Sequence, residues 1–307
     1  MPTPAPPIQI LNRRELEVRL PRVYARDRVL DYLGRDPQSL TEQRRGNVWR
    51  GALTLAGRPA VVEVTLRGPV AHCRIEPGGR LGAGALADAQ VQVTRRLGLH
   101  LDPAGFERHV GRDPALAPLV AGRRGLTIPL VAEPFEGVLW AIVGQQVNLS
   151  FARTLMRRLV ELAGVPAGGG LYTVPSPAAV AALSAEGLRE RQFSRAKAEY
   201  LIGVSGALAR GEVDLAALAR GPAEEAERVL LGLRGLGPWA VNYLMMRGLG
   251  FADCVPWGDT GLATGLTRFF QLPERPSREE TRRLMEPFRP YRSLATFHLW
   301  QLHGDGG

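Results

Sequence analysis

The sequence predicts an α+β protein in which a small N-terminal domain with an antiparallel sheet, residues 1–115, precedes a mostly α-helical region, 116–307, with room for two helical subdomains and a cleft between them. Three observations predict this. Side chains alternate in character in several short runs before residue 80, the mark of half-buried strands. From Phe135 almost to the end, apolar residues recur at helical spacing instead. A chain of 307 residues, 45% of them hydrophobic, can bury more than one core.

Taken in order, Leu16 to Leu20 and Val48 to Leu55 read as strands. Gly57, Arg58 and Pro59 separate the second from a third, Ala60 to Leu66, as a hairpin; Val70 to Ile75 supplies another. Between them Tyr24 to Leu33 reads as a helix with Val29, Leu30 and Leu33 inward. A Gly/Ala-rich bridge, Pro77 to Ala87, leads to helical patterns over Asp88 to Leu97 and Pro103 to Val110. The boundary between the two domains, placed at 115/116 above, is expected either in that bridge or in Ala121 to Gly125, where two glycines flank Arg123 and Arg124. Phe135, Leu139, Ile142 and Val143 then share a helix face, which Gly144 to Asn148 closes before Ser150 opens the next helix, ending at Gly164. Gly168 to Gly170 reads as a loop.

The net charge of +9 points to a polyanionic partner, although arginine-rich codon usage also produces such a balance. Lys197 is the only lysine. Two cysteines, Cys73 and Cys254, form neither a disulfide framework nor a metal cluster, and exclude a four-cysteine iron–sulfur cluster. His72, His100 and His109 are isolated and read as surface or core residues. No stretch is long and apolar enough to span a membrane, and the proline-rich start, Met1 to Pro7, lacks a signal peptide's apolar core. We expect a cytoplasmic, nucleoid-associated monomer.

The chain's most informative stretch is Leu233 to Asp259. Glu224 to Leu233 has a helical pattern that Gly235 and Gly237 interrupt, two glycines that permit positive φ and a bare, approachable backbone. Pro238 suits the first turn of a new helix. Free N–H groups of that turn form an outward anion site fit for a phosphate. Trp239 and Tyr243 share a helix face, and the helix ends near Gly248 to Gly250. Asp259 then precedes a further apolar helical run, and a carboxylate at a helix N-terminus is favoured as the anion. Asp253, with no helix following it directly, reads as a solvated loop residue.

Gly-Leu-Gly-Pro-Trp-Ala-Val-Asn-Tyr, with Gly258-Asp259 downstream, resembles the helix-hairpin-helix motif and catalytic Asp of the DNA glycosylase superfamily, and within it the AlkA-like 3-methyladenine DNA glycosylase II type. Ala141 to Asn148 resembles that group's Ile-x-Gly-Gln-x-Val motif; Phe193 to Leu201 its Lys-Ala helix; Tyr291 to Ser293 and His298 to Trp300 its C-terminal helix. Leu236, Ala240 and Gly258 depart from the usual residues.

The resemblance implies a DNA-binding surface of Gln145, Gln146, Arg234, Gly235, Gly237 and Pro238. Gln146 stands where the family plugs the gap left by an extruded base, or is a helix-end amide that caps backbone. Trp239, Tyr243 and Trp300 would line the pocket for the damaged base, with a core role open for Trp300. Asp259 would be the catalytic carboxylate, and the main-chain carbonyls of Leu231, Leu233 and Leu236 would hold a structural Na+ or K+; no cofactor is required. Bifunctional relatives carry a nucleophilic lysine in the first turn after the hairpin, where this chain has Trp239, so the expectation is a monofunctional glycosylase acting on double-stranded DNA with alkylated bases. The alternative is a non-catalytic helix-hairpin-helix DNA-binding module.

Overall fold

A computed structural model describes residues 6–77 and 81–304. Most of the proline-rich start and part of the 77–87 bridge therefore lie outside the described residues. The N-terminal sheet has six strands, β1 (Ile8–Ile10), β2 (Glu15–Arg19), β3 (Glu42–Arg45), β4 (Val48–Leu55), β5 (Arg58–Arg67) and β6 (Val70–Pro77). Their order is β1-β2-β6-β5-β4-β3, and every pair is antiparallel.

The strand β3 has no alternating apolar signal. Glu-Gln-Arg-Arg is polar throughout, yet β3 pairs with β4 from Glu42↔Gly51 to Arg45↔Val48, and Glu42 Oε2 accepts the Trp49 indole N–H across the pair at 2.8 Å. The β4–β5 turn comes earlier than Gly57-Arg58-Pro59 suggests. Ala56 and Gly57 make it, with φ of 49° and 73°, and Arg58 and Pro59 already pair within the sheet. Positive φ at both central residues matches the right-handed twist of the strands that the turn joins.

Two helices cover this sheet, α1 (Arg26–Leu33) and α2 (Ala85–Arg96). The spacing of Ala85, Ala89, Val93 and Leu97 puts one face of α2 into the same core as Val29, Leu30 and Leu33 of α1 and the inward strand residues Leu16, Val18, Val62 and Val64. Burying each leucine- or valine-sized side chain contributes roughly 1.5–3 kcal/mol. The next helix, α3 (Pro103–Val110), belongs to another core, since its Phe106 and Val110 pack with Leu139 and Phe297. The two cores thus part between Leu99 and Leu101.

The helical region continues with α4 (Pro134–Val143) and α5 (Leu149–Ala163). Asn148 caps α5, its Oδ1 accepting the Phe151 N–H at 2.8 Å, which satisfies one of the helix's unpaired first-turn donors. The glycine loop proves to be the turn of a small hairpin, β7 (Pro166–Gly168) and β8 (Leu171–Tyr172), so the region is not helical throughout. Short helices α6 (Pro177–Ala181) and α7 (Ala185–Glu190) lead to α8 (Arg195–Ala209) and α9 (Leu215–Arg220). The hairpin helices are α10 (Ala223–Leu231) and α11 (Pro238–Leu244), and α11 runs on into a π-helical turn, Met245–Leu249, closed by Gly250. The last three are α12 (Thr260–Phe269), α13 (Arg278–Met285) and α14 (Arg292–Gly304). No described helix is long and apolar enough to cross a membrane.

Candidate active site

Three helices meet at Asp259. It is the N-cap of α12, where its Oδ1 accepts the Leu262 N–H at 2.7 Å, the role an Asp side chain fills best at a helix start. The Trp300 indole N–H, from α14, reaches the same oxygen at 2.9 Å. The Trp239 indole N–H, from the first turn of α11, reaches Oδ2 at 3.0 Å. An ionised carboxylate offers about four acceptor positions, so these three bonds fix its orientation and leave one position, on Oδ2, for a ligand or water. Gly261 fits closely into this arrangement: a Cβ on it would sit 3.2 Å from Asp259 Oδ1 and 3.3 Å from Trp300 Cδ1, tight enough that one of them would have to give by a few tenths of an ångström.

The aromatic side chains named from the sequence do come together. Trp239 and Tyr243 stack on each other, centroids 5.4 Å apart at 19°, as their spacing of four on one helix requires. Trp300 lies 6.4 Å from Tyr243, tilted by 40°. A planar ligand could meet only an outer face of the stacked pair, because a centroid separation of 5.4 Å leaves no slot between the rings. Trp300 is part-buried with its N–H spent on Asp259, which joins the wall of the site to its carboxylate. Sequence spacing did not reveal Tyr32 of α1, whose ring packs edge-on against Phe297 at 5.0 Å and brings the N-terminal unit to this neighbourhood.

The loop before Asp259 is clamped by α14 and α11. Asp253 is not solvated, as the sequence suggested; it accepts Arg292 Nε at 2.7 Å and Nη2 at 2.8 Å, a bond across 39 residues. Such a two-pronged guanidinium–carboxylate pair is among the stronger polar contacts a protein makes. Ser293 Oγ donates to Phe251 O at 2.7 Å and accepts Cys254 N–H at 3.0 Å, and Asn242 Oδ1 accepts Val255 N–H at 3.3 Å. The loop's acid and several of its main-chain groups are thus held by neighbours.

At the hairpin only the first glycine has positive φ, 105° at Gly235, where a Cβ would fall 2.3 Å from Tyr200 Cγ. Gly237 is extended, with φ −83° and ψ 177°, and open space surrounds it. No described residue accepts a hydrogen bond from the Gly237 or Trp239 N–H, and Gly237 and Pro238 are exposed. Arg234 is 85% exposed, with Glu199 at 3.7 Å. The Leu233 carbonyl accepts Leu236 N–H at 3.0 Å, while those of Leu231 and Leu236 accept none from a described residue.

Gln145 and Gln146 behave differently. Gln145 Nε2 donates to Ala141 O at 3.1 Å and to Gly235 O at 2.9 Å, tying the end of α4 to the hairpin. Backbone capping by an amide therefore belongs to Gln145. Gln146, at φ 55°, is exposed and its side chain bonds to no described residue. Lys197 Nζ donates to the carbonyls of Ile142 (3.1 Å), Val143 (2.9 Å) and Gln145 (2.6 Å). It caps the C-terminus of α4, where a cation is favoured, and burial pulls its pKa down to about 8.

A hairpin with unpaired amides, followed by a carboxylate at a helix N-terminus between indoles, has the chemistry to receive a phosphate group beside an aromatic recess. Residues 139–290 match the model of the HhH-GPD superfamily base excision DNA repair protein, and the chain belongs to that superfamily. It is 32% identical to the DNA-3-methyladenine glycosylase of Bacillus subtilis over 66% of this chain and 67% of that one. With the putative DNA-3-methyladenine glycosylase YfjP of Bacillus subtilis it shares 29% identity over 91% of this chain and 95% of the other. The fold superposes on a 3-methyladenine DNA glycosylase from Archaeoglobus fulgidus with a TM-score of 0.80 at 24% identity, covering 92% and 96% of the two chains.

Proposed function

We propose that this protein is a DNA-3-methyladenine glycosylase that hydrolyses the N-glycosidic bond of a flipped, alkylated purine in duplex DNA and leaves the strand uncut. The observation that carries this reading is the Asp259 carboxylate, oriented by three N–H donors at the edge of a stacked aromatic pair. A base within a duplex is out of reach, so the nucleotide must be extruded, at roughly a few kcal/mol and less at a weakened pair. The Gly237 and Trp239 amides, with Arg234, hold the backbone while exposed Gln146 enters the gap. As the glycosidic bond lengthens, positive charge grows on the sugar, and Asp259 stabilises it and directs a water to the anomeric carbon. N3- or N7-alkylated purines are already cationic, depart without a general acid, and are attracted to the faces of Trp239, Tyr243 and Trp300.

The absence of strand cutting follows from the amines. A Schiff base needs a free amine, and the position after the hairpin carries an indole that donates to Asp259. Lys197 spends its three N–H bonds on the carbonyls of Ile142 and Val143 in α4 and of Gln145 just beyond it. The Leu231 and Leu236 carbonyls, with the second lone pair of Leu233, have the oxygen chemistry for a Na+ or K+ that would stiffen the hairpin; no step of the reaction runs through it.

The test is release of free base from duplexes carrying defined lesions, followed by a denaturing gel without alkali. Wild type should release methylated purine and leave the strand intact, and Asp259→Asn should bind without release. Strand scission, or borohydride trapping of the protein on DNA, would overturn the monofunctional reading. Binding with no release from any substrate would favour a non-catalytic hairpin module.

A further inference from the structure

Between residues 33–42 of the N-terminal unit and helices α4 and α5 lies a second recess, a cavity of about 40 Å³ beside Tyr32. Five guanidinia and three carboxylates line it. Two of the carboxylates are already matched: Asp36 with Arg157 at 3.2 Å, and Glu42 with Arg96. Glu136 is then left to face Arg35, Arg153 and Arg247, an excess of two positive charges in a partly enclosed space.

None of the three arginines is satisfied by an acid side chain in direct contact. Arg153, half-buried on α5, makes no hydrogen bond or ion pair with any described residue. Arg35 donates to Tyr32 O at 2.8 Å and lays its Cζ 3.7 Å above the Tyr32 ring. Arg247, on the π-helical turn, is 2% exposed, and its buried Nε has no partner. Its Nη1 donates to Pro129 O, and its Cζ lies 4.8 Å from the same tyrosine ring on which Arg35 rests. Burial works to raise the Tyr32 phenol, yet the guanidinia of Arg247, Arg35, Arg96 and Arg153 outweigh it and hold the phenol below its ordinary range.

Guanidinium does not deprotonate in proteins, so an excess of partly buried arginine is relieved only by an anion. Size limits which anion. A water needs about 10–15 Å³ of such volume, so the cavity admits a few waters or one small oxyanion and excludes a nucleoside. We propose that this cleft binds a single phosphate group, with Arg153 and Arg35 as donors at the mouth and Arg247 Nε at the floor. The positive charge of Arg247 also acts on the Tyr243 phenol, which stacks on Trp239, so occupancy of the cleft is felt electrostatically at the aromatic pair beside Asp259. The group can be inorganic phosphate or a phosphodiester of bound DNA.

The experiment titrates inorganic phosphate into the full chain at constant ionic strength, followed by calorimetry and by Tm. Arg153→Gln and Arg35→Gln should each weaken cleft binding at least tenfold, and Arg220→Gln, on an exposed helix end, should not. In phosphate-free buffer Arg153→Gln should raise Tm, because an unpaired cation has gone; at saturating phosphate it should lie below wild type. That crossing is not expected of a merely structural arginine. A second arm measures duplex affinity across a salt series without phosphate. If the occupant is a phosphodiester, the slope of log K against log salt should fall by about 0.9 in Arg153→Gln. Loss of phosphate binding in the variants identifies the free anion, and the slope change alone identifies DNA. Phosphate binding that both variants leave intact, with an unchanged salt slope and no Tm crossing, overturns the proposal.

Discussion

Asp253 and Asp259 stand at the two ends of one loop, and α14 grips both, Asp253 through Arg292 in its first turn and Asp259 through Trp300 farther along. The partners differ in charge. Arg292 closes a two-bond fork on Asp253 and cancels its charge. Both side chains are mostly removed from solvent, at 11% and 31% exposure. Asp259 receives three neutral N–H donors, which fix its direction and leave its charge unspent. A unit charge about 4 Å from a developing cation is worth roughly 4 kcal/mol at an effective dielectric of 20. One end of the loop is therefore a fastening, and the other is the part that can do chemistry.

This contrast can be broken most sharply by removing the unspent charge. Asp259→Asn should lower single-turnover base release on the order of 10²–10⁴-fold, with duplex affinity little changed. Asp253→Asn should show the reverse pattern, a loss of about 2–3 kcal/mol in denaturant unfolding, because Arg292 loses its two-bond carboxylate and keeps Glu286, at 3.9 Å, as its acid partner. Its release rate per folded molecule should stay within a few-fold of wild type. Equal effects of the two substitutions on rate would end the distinction.

Both ends depend on α14 keeping its place, and that helix carries a buried histidine. Burial, with Arg123 nearby, pushes His298 down from its ordinary range to about 3. A histidine whose folded pKa is depressed contributes no pH dependence above about 6.5, and its stability share is lost as pH falls from there toward 3, because only the unfolded chain takes up the proton. Acidification from about pH 6.5 to 5 should therefore cost about 2 kcal/mol through this residue. The pH profile of stability in His298→Gln should be correspondingly flatter. The smallest expected effect sharpens the comparison at the Asp259 end alone. Gly261→Ala places a methyl against Trp300 and Asp259, and should slow release about tenfold through misorientation, with Tm nearly unchanged.

Much of this molecule was legible in order along the chain. Asp259 capping a helix, Pro238 opening one, and Trp239 stacked on Tyr243 are contacts within four residues, which local sequence rules describe directly. Strands β2, β4, β5 and β6 announced themselves by alternation, whereas β3 did not, since its four polar residues are held by β4 and by the Glu42–Arg96 pair. Glu42 and Arg96 are 54 residues apart, and nothing local connects them.

By itself the sequence determined the hairpin, the aromatic face, the carboxylate at the helix start and the lack of an amine beside it, because each depends on residue type at short spacing. Tertiary structure alone decided how the charges were paired. It gave Asp253 to Arg292, set Lys197 on the end of α4, separated the bonded Gln145 from the exposed Gln146, and gathered Arg35, Arg153 and Arg247 from three distant segments around Tyr32. A carboxylate looks the same in sequence whether its charge is spent or free, and only the fold, by bringing distant groups within hydrogen-bond reach, settles which it is.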